Sequence, residues 1–437
     1  MKKRHPFWFL FYNFIAIPVI YFGLQIARFF NSKIREGIVG RRGLFRDLAD
    51  VKRKLSPNQR LIVIHCASAG EFEAARPIIT AIHKRFPNCK VHVTCYSPSG
   101  YDPIQHASEV DSYSYLPFDS LISAHRFFRI LDPDAFLIVK HDVWPNMVWA
   151  ASRRKIPVLW INANLHERTK RLYVISRGFN KSFLSCLEAV LTIGEDHAIR
   201  LSRLVSPMMI EVIGDSRFDR TLQRWQDAEK TVKKLLPLDA LRNRKCIVGG
   251  STWGPDQRLL IPTYASLKRE HPELFLVLVP HEPHEHFLDD TDFYIRGYGL
   301  KPVLYSQLNG DLSNADVLIV DKVGVLASLY RIAWIAYVGG AFGDGVHSVL
   351  EPAVFGVPLF FGEKYYMSHE AQLLVQRQGA FPVDSPAILE RHLRTFLEDE
   401  NAWRTAAQIA GDFVKAGSGA SERIVDHLER VLSRKEP

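Results

Sequence analysis

From Leu61 onward the chain alternates short β-branched and aliphatic runs with longer stretches whose apolar positions recur every three or four residues. The runs predict strands at 61–66, 90–94, 135–140, 158–162, 189–193, 246–249, 275–280, 317–320 and 335–338, most of them followed by a turn and a helical pattern. Such alternation implies parallel sheets covered by helices on both faces. Residues 61 to 95 read strand, small-residue turn ending in Ser68-Ala69-Gly70, helix, strand, and residues 245 to 280 repeat that order around Gly249-Gly250-Ser251-Thr252. Two doubly wound domains are therefore expected, with a cleft between the carboxyl edges of their sheets, where ligands of open α/β sheets bind. The strand rhythm is interrupted between Gly214 and Lys245, where a polar helix-forming run, 223–234, precedes Pro237.

The N-terminus follows a different pattern. Pro6 to Ala27 contains no Asp, Glu, Lys or Arg. As a helix these residues would reach about 33 Å, against roughly 30 Å for a bilayer's hydrocarbon core. Aromatic residues cluster towards both ends, Phe7 to Tyr12 and Tyr21 to Phe30, as interfacial side chains do. Lys2, Lys3 and Arg4 resemble the start of a secretory signal, but the apolar run is too long and no small-residue cleavage site follows. The segment is read as an uncleaved anchor or a deeply seated interfacial helix.

Charge sharpens this reading. The formal net charge of the 437 residues is +9, and all of the basic excess lies in the first 60. Arg28, Lys33, Arg35, Arg41, Arg42 and Arg46 form a collar after the apolar run, which by the positive-inside rule leaves the bulk of the chain in the cytoplasm with the collar on anionic headgroups. No basic excess remains to suggest nucleic acid. The five cysteines form no CxxC pair, so a reducing compartment is expected. With 47% hydrophobic and 24% charged residues, the composition is that of a globular protein.

Two segments carry candidate chemistry. Glu71 falls in the first turn of the helix after the first strand, where the helix dipole favours its anion by about 0.3 to 1 kcal/mol. An ionised carboxylate aimed at the cleft can accept a proton; a Glu that merely caps exposed amides is the competing reading, and position alone leaves both open. Glu73 is expected to point elsewhere. The second segment is Val338-Gly339-Gly340-Ala341-Phe342-Gly343-Asp344-Gly345-Val346-His347, followed by Ser348-Val349-Leu350-Glu351-Pro352. Glycines between a strand and a helix present backbone N–H groups to a phosphate, and a carboxylate in that helix can accept from ribose hydroxyls. Neither turn is GxGxxG or GxxxxGK[ST], so nicotinamide and P-loop chemistries fit poorly. His281, Glu282, His284, Glu285 and His286 look like metal ligands, but the spacing is not HExxH and Pro283 interrupts it; a solvated loop is expected and no metal site. His65, His141 and His166 are open between pocket lining and packing, and Trp144 reads as a packing residue.

His65-Cys66-Ala67-Ser68-Ala69-Gly70-Glu71, Trp144-Pro145-Asn146, Asn162-Ala163-Asn164-Leu165 with Glu167-Arg168, Gly214-Asp215-Ser216-Arg217-Phe218-Asp219, Gly250-Ser251-Thr252 and the segment from Gly339 to Pro352 occur in an order that resembles the 3-deoxy-D-manno-octulosonic acid (Kdo) transferases of lipopolysaccharide assembly. The likeness covers nearly the whole chain, including the anchor and Gly40-Arg41-Arg42-Gly43. It implies a GT-B fold: an anchor at residues 1–30, a Rossmann-like acceptor domain at 31–225, and a Rossmann-like donor domain at 226–437 whose last helix packs back on the N-terminal domain. It further implies metal-free, inverting transfer of Kdo from CMP-Kdo to a lipid A precursor (lipid IVA) at the cytoplasmic face of the bacterial inner membrane, with no cofactor, no nucleic acid and no obligate protein partner.

By that resemblance Glu71 is the general base and Glu351 the ribose-binding carboxylate. Gly250, Ser251, Thr252, His281, Gly343, Gly345 and His347 line the donor site, with backbone donors near Gly343 and Gly345 meeting the leaving phosphate. Arg76, Arg168 and Arg171 are candidates for substrate anions. The chain departs from the family pattern at His281-Glu282-Pro283, where many members carry Arg-His-Pro, and at Val346-His347-Ser348, where Gly-His-Asn is common. Alternatives within the fold are a lipid-linked glycosyltransferase using a UDP-sugar and a sugar-nucleotide epimerase; a non-catalytic membrane scaffold would make Glu71 dispensable.

Overall fold

The computed structural model describes residues 6–165 and 169–434, the side chain of Ile175 excepted. Two compact units are built, one from residues 1–220 with 418–437 and the other from residues 221–417. The division falls inside the helix Ser216–Leu235.

In the first unit, strands β1 (Arg60–Cys66), β2 (Cys89–Cys95), β3 (Ser112–Tyr115), β4 (Ala135–Val139), β5 (Val158–Ala163), β6 (Ala189–Thr192) and β7 (Ile210–Val212) form one parallel sheet in the order β3-β2-β1-β4-β5-β6-β7. In the second, β8 (Lys245–Thr252), β9 (Leu274–Pro280), β10 (Pro302–Leu304), β11 (Val317–Ile319), β12 (Ala333–Val338), β13 (Leu359–Phe361) and β14 (Ala380–Pro382) do the same in the order β10-β11-β9-β8-β12-β13-β14. Strand side chains alternate between two cores. Leu61 and Val63 enter one cluster and Ile62 and Ile64 the opposite one; Leu274, Leu276 and Leu278 face one side of the second sheet, Phe275, Val277 and Val279 the other. Both faces of the central strands are dry, which is why those strands read as continuous apolar runs rather than as alternating ones.

The order reverses between β1 and β4 in the first sheet and between β8 and β12 in the second. At such switch points the loops leave the sheet in opposite directions and open a crevice at the carboxyl edge. The helix Ala69–Arg85 follows β1, the turn at Gly249–Thr252 ends β8, and the glycine-rich segment follows β12, so the three candidate segments all sit at these crevices.

The helix Ala420–Ser433 belongs to the first unit, where Ile424, Val425, Leu428 and Leu432 join the core beneath Ala69–Arg85. Asp219 fastens its start, accepting the Gly419 amide at 2.5 Å and the Ser421 amide at 2.7 Å.

Pro6–Ala27 is helical throughout and passes through a π-helical turn at Tyr12–Ala16. It is long and apolar enough to cross a membrane, with 11% of its most apolar window buried. One stripe docks on the first unit: Tyr12 and Ile17 are buried in its core, and Phe9 packs edge-on against Trp149 at 5.0 Å. Polar links lock this stripe. The Tyr12 hydroxyl donates to Asp119 at 2.9 Å, and Asn146 Nδ2 donates to Asn13 Oδ1 at 2.9 Å. Phe7, Leu10, Phe14, Val19, Phe22 and Ile26 on the rest of the surface remain exposed. A free-standing spanning helix would be ringed by lipid, whereas this one keeps one side on protein. Arg41, counted in the basic collar from sequence, turns inward: its guanidinium donates to the carbonyls of Gly37, Tyr96 and Leu116 and lies over the rings of Tyr96 and Tyr115.

Candidate active site

Glu71 is 6% exposed, in the first turn of Ala69–Arg85. Its Oε2 accepts the Ala67 amide at 2.6 Å, and the His141 amide, just beyond β4, is a second backbone donor. The carboxylate thus bridges the ends of β1 and β4. Burial pushes its pKa up to about 6, with the neighbouring Asp142 carboxylate adding to the rise, while the Ala67 and His141 amides and Lys140 hold it back. The sequence reading gave the helix dipole the deciding role; desolvation outweighs it. The group remains mostly ionised at neutral pH and is close to the value that suits a general base. Glu73, two residues on, instead accepts from Arg220 at 2.7 Å and from Arg76 at 3.2 Å.

Around Glu71 stand residues that periodicity could not single out. Lys140 adopts a left-handed backbone, φ 58°, as β4 ends, which swings the chain so that His141 and Asp142 reach the crevice. Burial raises the Asp142 pKa, and the nearby Arg171 opposes that rise. Arg171 donates to the His141 carbonyl at 2.5 Å and lies over the Trp160 ring, and its Nη1 is buried without a hydrogen-bond partner among the described residues. A buried guanidinium nitrogen so placed has an unmet capacity for an anionic oxygen. Arg76 is already matched by two carboxylates, Glu73 and Glu109. Arg168 and His166, with Glu167, lie outside the described residues. His65 is fully buried, its Nδ1 3.0 Å from Thr94 Oγ1, and burial drives its pKa down to about 3; it packs as a neutral imidazole.

Several motif residues prove to be scaffold. Asn162, at φ 48°, donates to Ser216 Oγ at 2.6 Å, and Ser216 in turn donates to the Ala74 carbonyl at 2.5 Å, tying β5 and the Gly214 turn to the helix that carries Glu71. Asn146 and Asp119 hold the N-terminal helix, as described above. Trp144 stacks on Tyr96 at 4.9 Å.

In the second unit the two glycine segments interlock. The Gly339 amide donates to the Gly250 carbonyl at 2.9 Å, and a Cβ on Gly339 would lie 2.2 Å from the Ser251 carbonyl oxygen. Asp256 clamps both segments, accepting from the Trp253 amide at 2.8 Å, the Gly340 amide at 3.2 Å and the Tyr337 hydroxyl at 2.9 Å. The Gly343 and Gly345 amides, offered to a phosphate by the sequence reading, both donate to the Gly340 carbonyl, at 2.9 and 3.2 Å. That loop must open for either to reach a ligand. Trp253, His281 and His347 form a stack, with centroids 4.9 and 4.4 Å apart. Burial, followed by the nearby His281, lowers the His347 pKa, so this imidazole is neutral at pH 7. Glu351 accepts from Arg224 Nη1 at 2.7 Å. Thr252 Oγ1 is buried without a hydrogen-bond partner among the described residues. His284 and His286 are exposed, and no group of three or more metal-ligating side chains gathers among the described residues.

Residues 40–220 match the family model described as 3-deoxy-D-manno-octulosonic-acid transferase (kdotransferase). A 3-deoxy-D-manno-octulosonic acid transferase of Haemophilus influenzae is 25% identical over 98% of this chain and 99% of its own length. One from Aquifex aeolicus is 24% identical over 75% of this chain and 83% of its own length. Over residues 40–220 the chain is similar to the Kdo transferases. Among solved structures, UDP-GlcNAc 2-epimerase from Neisseria meningitidis superposes with a TM-score of 0.64 at 17% identity, over 85% of this chain and 100% of that one. MurG of Acinetobacter baumannii gives 0.54 at 15%, over 85% and 99%. These likenesses establish the GT-B fold. The Kdo transferase match itself spans Glu71, the Asn162 and Ser216 ties and the Asp215–Asp219 turn, and ends at residue 220, where the chain passes from the first unit into the second.

Proposed function

We infer that the protein transfers Kdo from CMP-Kdo to a lipid A precursor, with Glu71 as the general base. The observation that carries the mechanism is a buried carboxylate with a pKa of about 6 at the switch point of the family-matched sheet. The acceptor hydroxyl oxygen attacks the anomeric carbon while Glu71 takes its proton. The bond from that carbon to the phosphate oxygen breaks on the opposite face, and its electron pair leaves with CMP, so configuration inverts. In the second unit the Gly250–Thr252 turn and the segment from Gly339 to Glu351 hold the nucleotide, with Glu351 on the ribose. The phosphate charge is met by helix N-termini and, once the loop at 340–345 opens, by its backbone amides, without a metal. Arg171 is suited to a substrate carboxylate or phosphate.

The N-terminal helix associates the enzyme with a membrane. Its docked stripe and exposed apolar face suit a helix lying in the interface, with the catalytic units on the cytoplasmic side of the inner membrane. Confining enzyme and acceptor to one surface raises their effective concentration. The UDP-GlcNAc epimerase likeness is one of fold, at 17% identity, and brings no activity with it.

The test is mass spectrometry of products from purified protein, CMP-Kdo and a tetraacylated lipid A precursor, with and without EDTA. A mass increase of one or more Kdo units, unchanged by the chelator, is expected. Sugar transfer from UDP donors with none from CMP-Kdo would overturn the reading.

A further inference from the structure

A cleft of about 460 Å³ opens on the surface of the first unit, away from Glu71 and its neighbours, and five of its side chains are basic. Ile122, His125, Arg126 and Arg129 stand at i, i+3, i+4 and i+7 on the helix Leu121–Leu131 and so share one face. Arg153 and Arg154, at the end of the helix Pro145–Arg153, form the other wall. The charge is poorly matched. Asp132 pairs with Arg154 at 2.8 Å, but among the described residues no carboxylate lies within 4 Å of Arg126, Arg129 or Arg153. His125 Nε2, 3.5 Å from Arg153 Nη1, adds no anion. The exposed guanidiniums give the cleft a local positive potential that favours an anion.

Two of these guanidiniums are held in place by aromatic faces: Arg126 lies 4.3 Å from the centroid of Phe45, and Arg153 lies 4.9 Å from that of Phe9. Phe9 belongs to the docked stripe of the apolar N-terminal helix, so one wall of the cleft is in contact with that helix. At the cleft itself Ile122 is 81% exposed, an apolar side chain beside the arginines. Cationic forks next to apolar side chains match a phosphate that carries acyl chains better than they match a soluble anion.

We propose that this cleft binds the phosphate headgroup of an anionic phospholipid and so fixes the orientation of the first unit on the bilayer. The assignment rests on the reading of the N-terminal helix as membrane-associated. The two are separable, because the helix would bind neutral vesicles and the cleft would add only the increment due to anionic lipid.

The test uses the full-length protein and vesicles of phosphatidylcholine with 0 or 30% phosphatidylglycerol at constant ionic strength. The triple variant Arg126→Gln, Arg129→Gln, Arg153→Gln should keep the wild-type affinity for neutral vesicles and lose most of the anionic increment. At about fivefold per charge near an anionic surface, that loss is on the order of 100-fold. Should the triple variant fold poorly by its melting curve, Arg129→Glu alone, at an exposed position with no ion pair among the described residues, should lower the increment about tenfold or more. A collar variant, Lys33→Gln, Arg35→Gln, Arg42→Gln, provides the contrast. If the collar variant removes the whole increment and the cleft variants none of it, the proposal fails. It fails equally if millimolar inorganic phosphate releases the protein from anionic vesicles, since the site would then prefer a free anion. Loss of binding to neutral vesicles on deleting residues 1–30 is expected on the helix reading alone; persistence of that binding would overturn the helix reading, and with it this one.

Discussion

The Glu71 carboxylate accepts the backbone N–H of Ala67 at 2.6 Å, closing a ring four residues back over the start of its own helix. The bond aims the carboxylate at the switch point and favours its anion, while burial disfavours it; the balance leaves the pKa at about 6. Capping and catalysis, which competed when only the sequence was read, are compatible uses of one group. Glu71→Gln keeps an acceptor for Ala67 but cannot take a proton, so kcat should fall by roughly 10² to 10⁴ with CMP binding retained. In the wild type, kcat/KM should fall as pH drops below about 6 and level off above it. A pH profile flat from 5 to 8 would remove Glu71 from the role.

The same shift has a cost in stability. Between 4.5 and about 6 the folded protein holds a proton on Glu71 that the unfolded chain has released. The wild type therefore loses stability as pH rises through that window, by on the order of 2 kcal/mol once it is complete. Glu71→Gln has no such loss. The melting temperatures of variant and wild type should coincide at pH 4 and diverge in favour of the variant at pH 7.5. Carboxylates remote from Glu71 titrate in both proteins and cancel in the difference, whereas Asp142, whose charge acts on Glu71, adds to it with the same sign.

Gly339 and Gly343 should respond differently to a methyl group. On Gly339 it would meet the Ser251 carbonyl oxygen at 2.2 Å and Thr252 Cα at 2.8 Å, both backbone atoms that cannot step aside; on Gly343 the nearest atom is 3.5 Å away. Gly339→Ala should destabilise the second unit by about 1 to 3 kcal/mol and weaken CMP binding at least tenfold. Gly343→Ala should leave the melting curve within about 0.5 kcal/mol of wild type. Isothermal titration with CMP and thermal melts distinguish the two.

Removing the Tyr12 hydroxyl leaves buried Asp119 with only its bonds to the Asn146 and Met147 amides. Tyr12→Phe should loosen the docked stripe by about 1 to 3 kcal/mol. Faster hydrogen exchange across residues 6–27, with unchanged exchange in β1 and β4, is the expected result; equal protection of the helix would show that apolar packing alone holds it.

How much of this was legible beforehand depended on where the signal lay. The nine strands foreseen include the long central ones, whose uninterrupted apolar runs reflect two dry faces. Ser112–Tyr115, Ile210–Val212, Pro302–Leu304, Leu359–Phe361 and Ala380–Pro382 were not foreseen: each has three or four residues, too few to show a period. Glu71 was accessible because helix start and strand end are local features. Arg171 was named as a candidate for substrate anions, but its burial, like the placing of Lys140 and Asp142 at the strand end, depends on neighbours far away in sequence. Nor could spacing reveal that Asn146, Asn162, Ser216 and Asp219 work as fasteners, since each bond they make joins segments 27 to 202 residues apart.

The last helix gives the chain an unusual biosynthetic schedule. The segment that completes the first sheet's covering layer, 420–433, is translated after the whole second unit. Until it emerges, Ile78, Ile82 and their neighbours on the helix of Glu71 lack the apolar partners they have in the finished protein. The half made first is thus the half finished last, and a ribosome stalled anywhere before Ala420 would release Glu71 on an incompletely covered lobe.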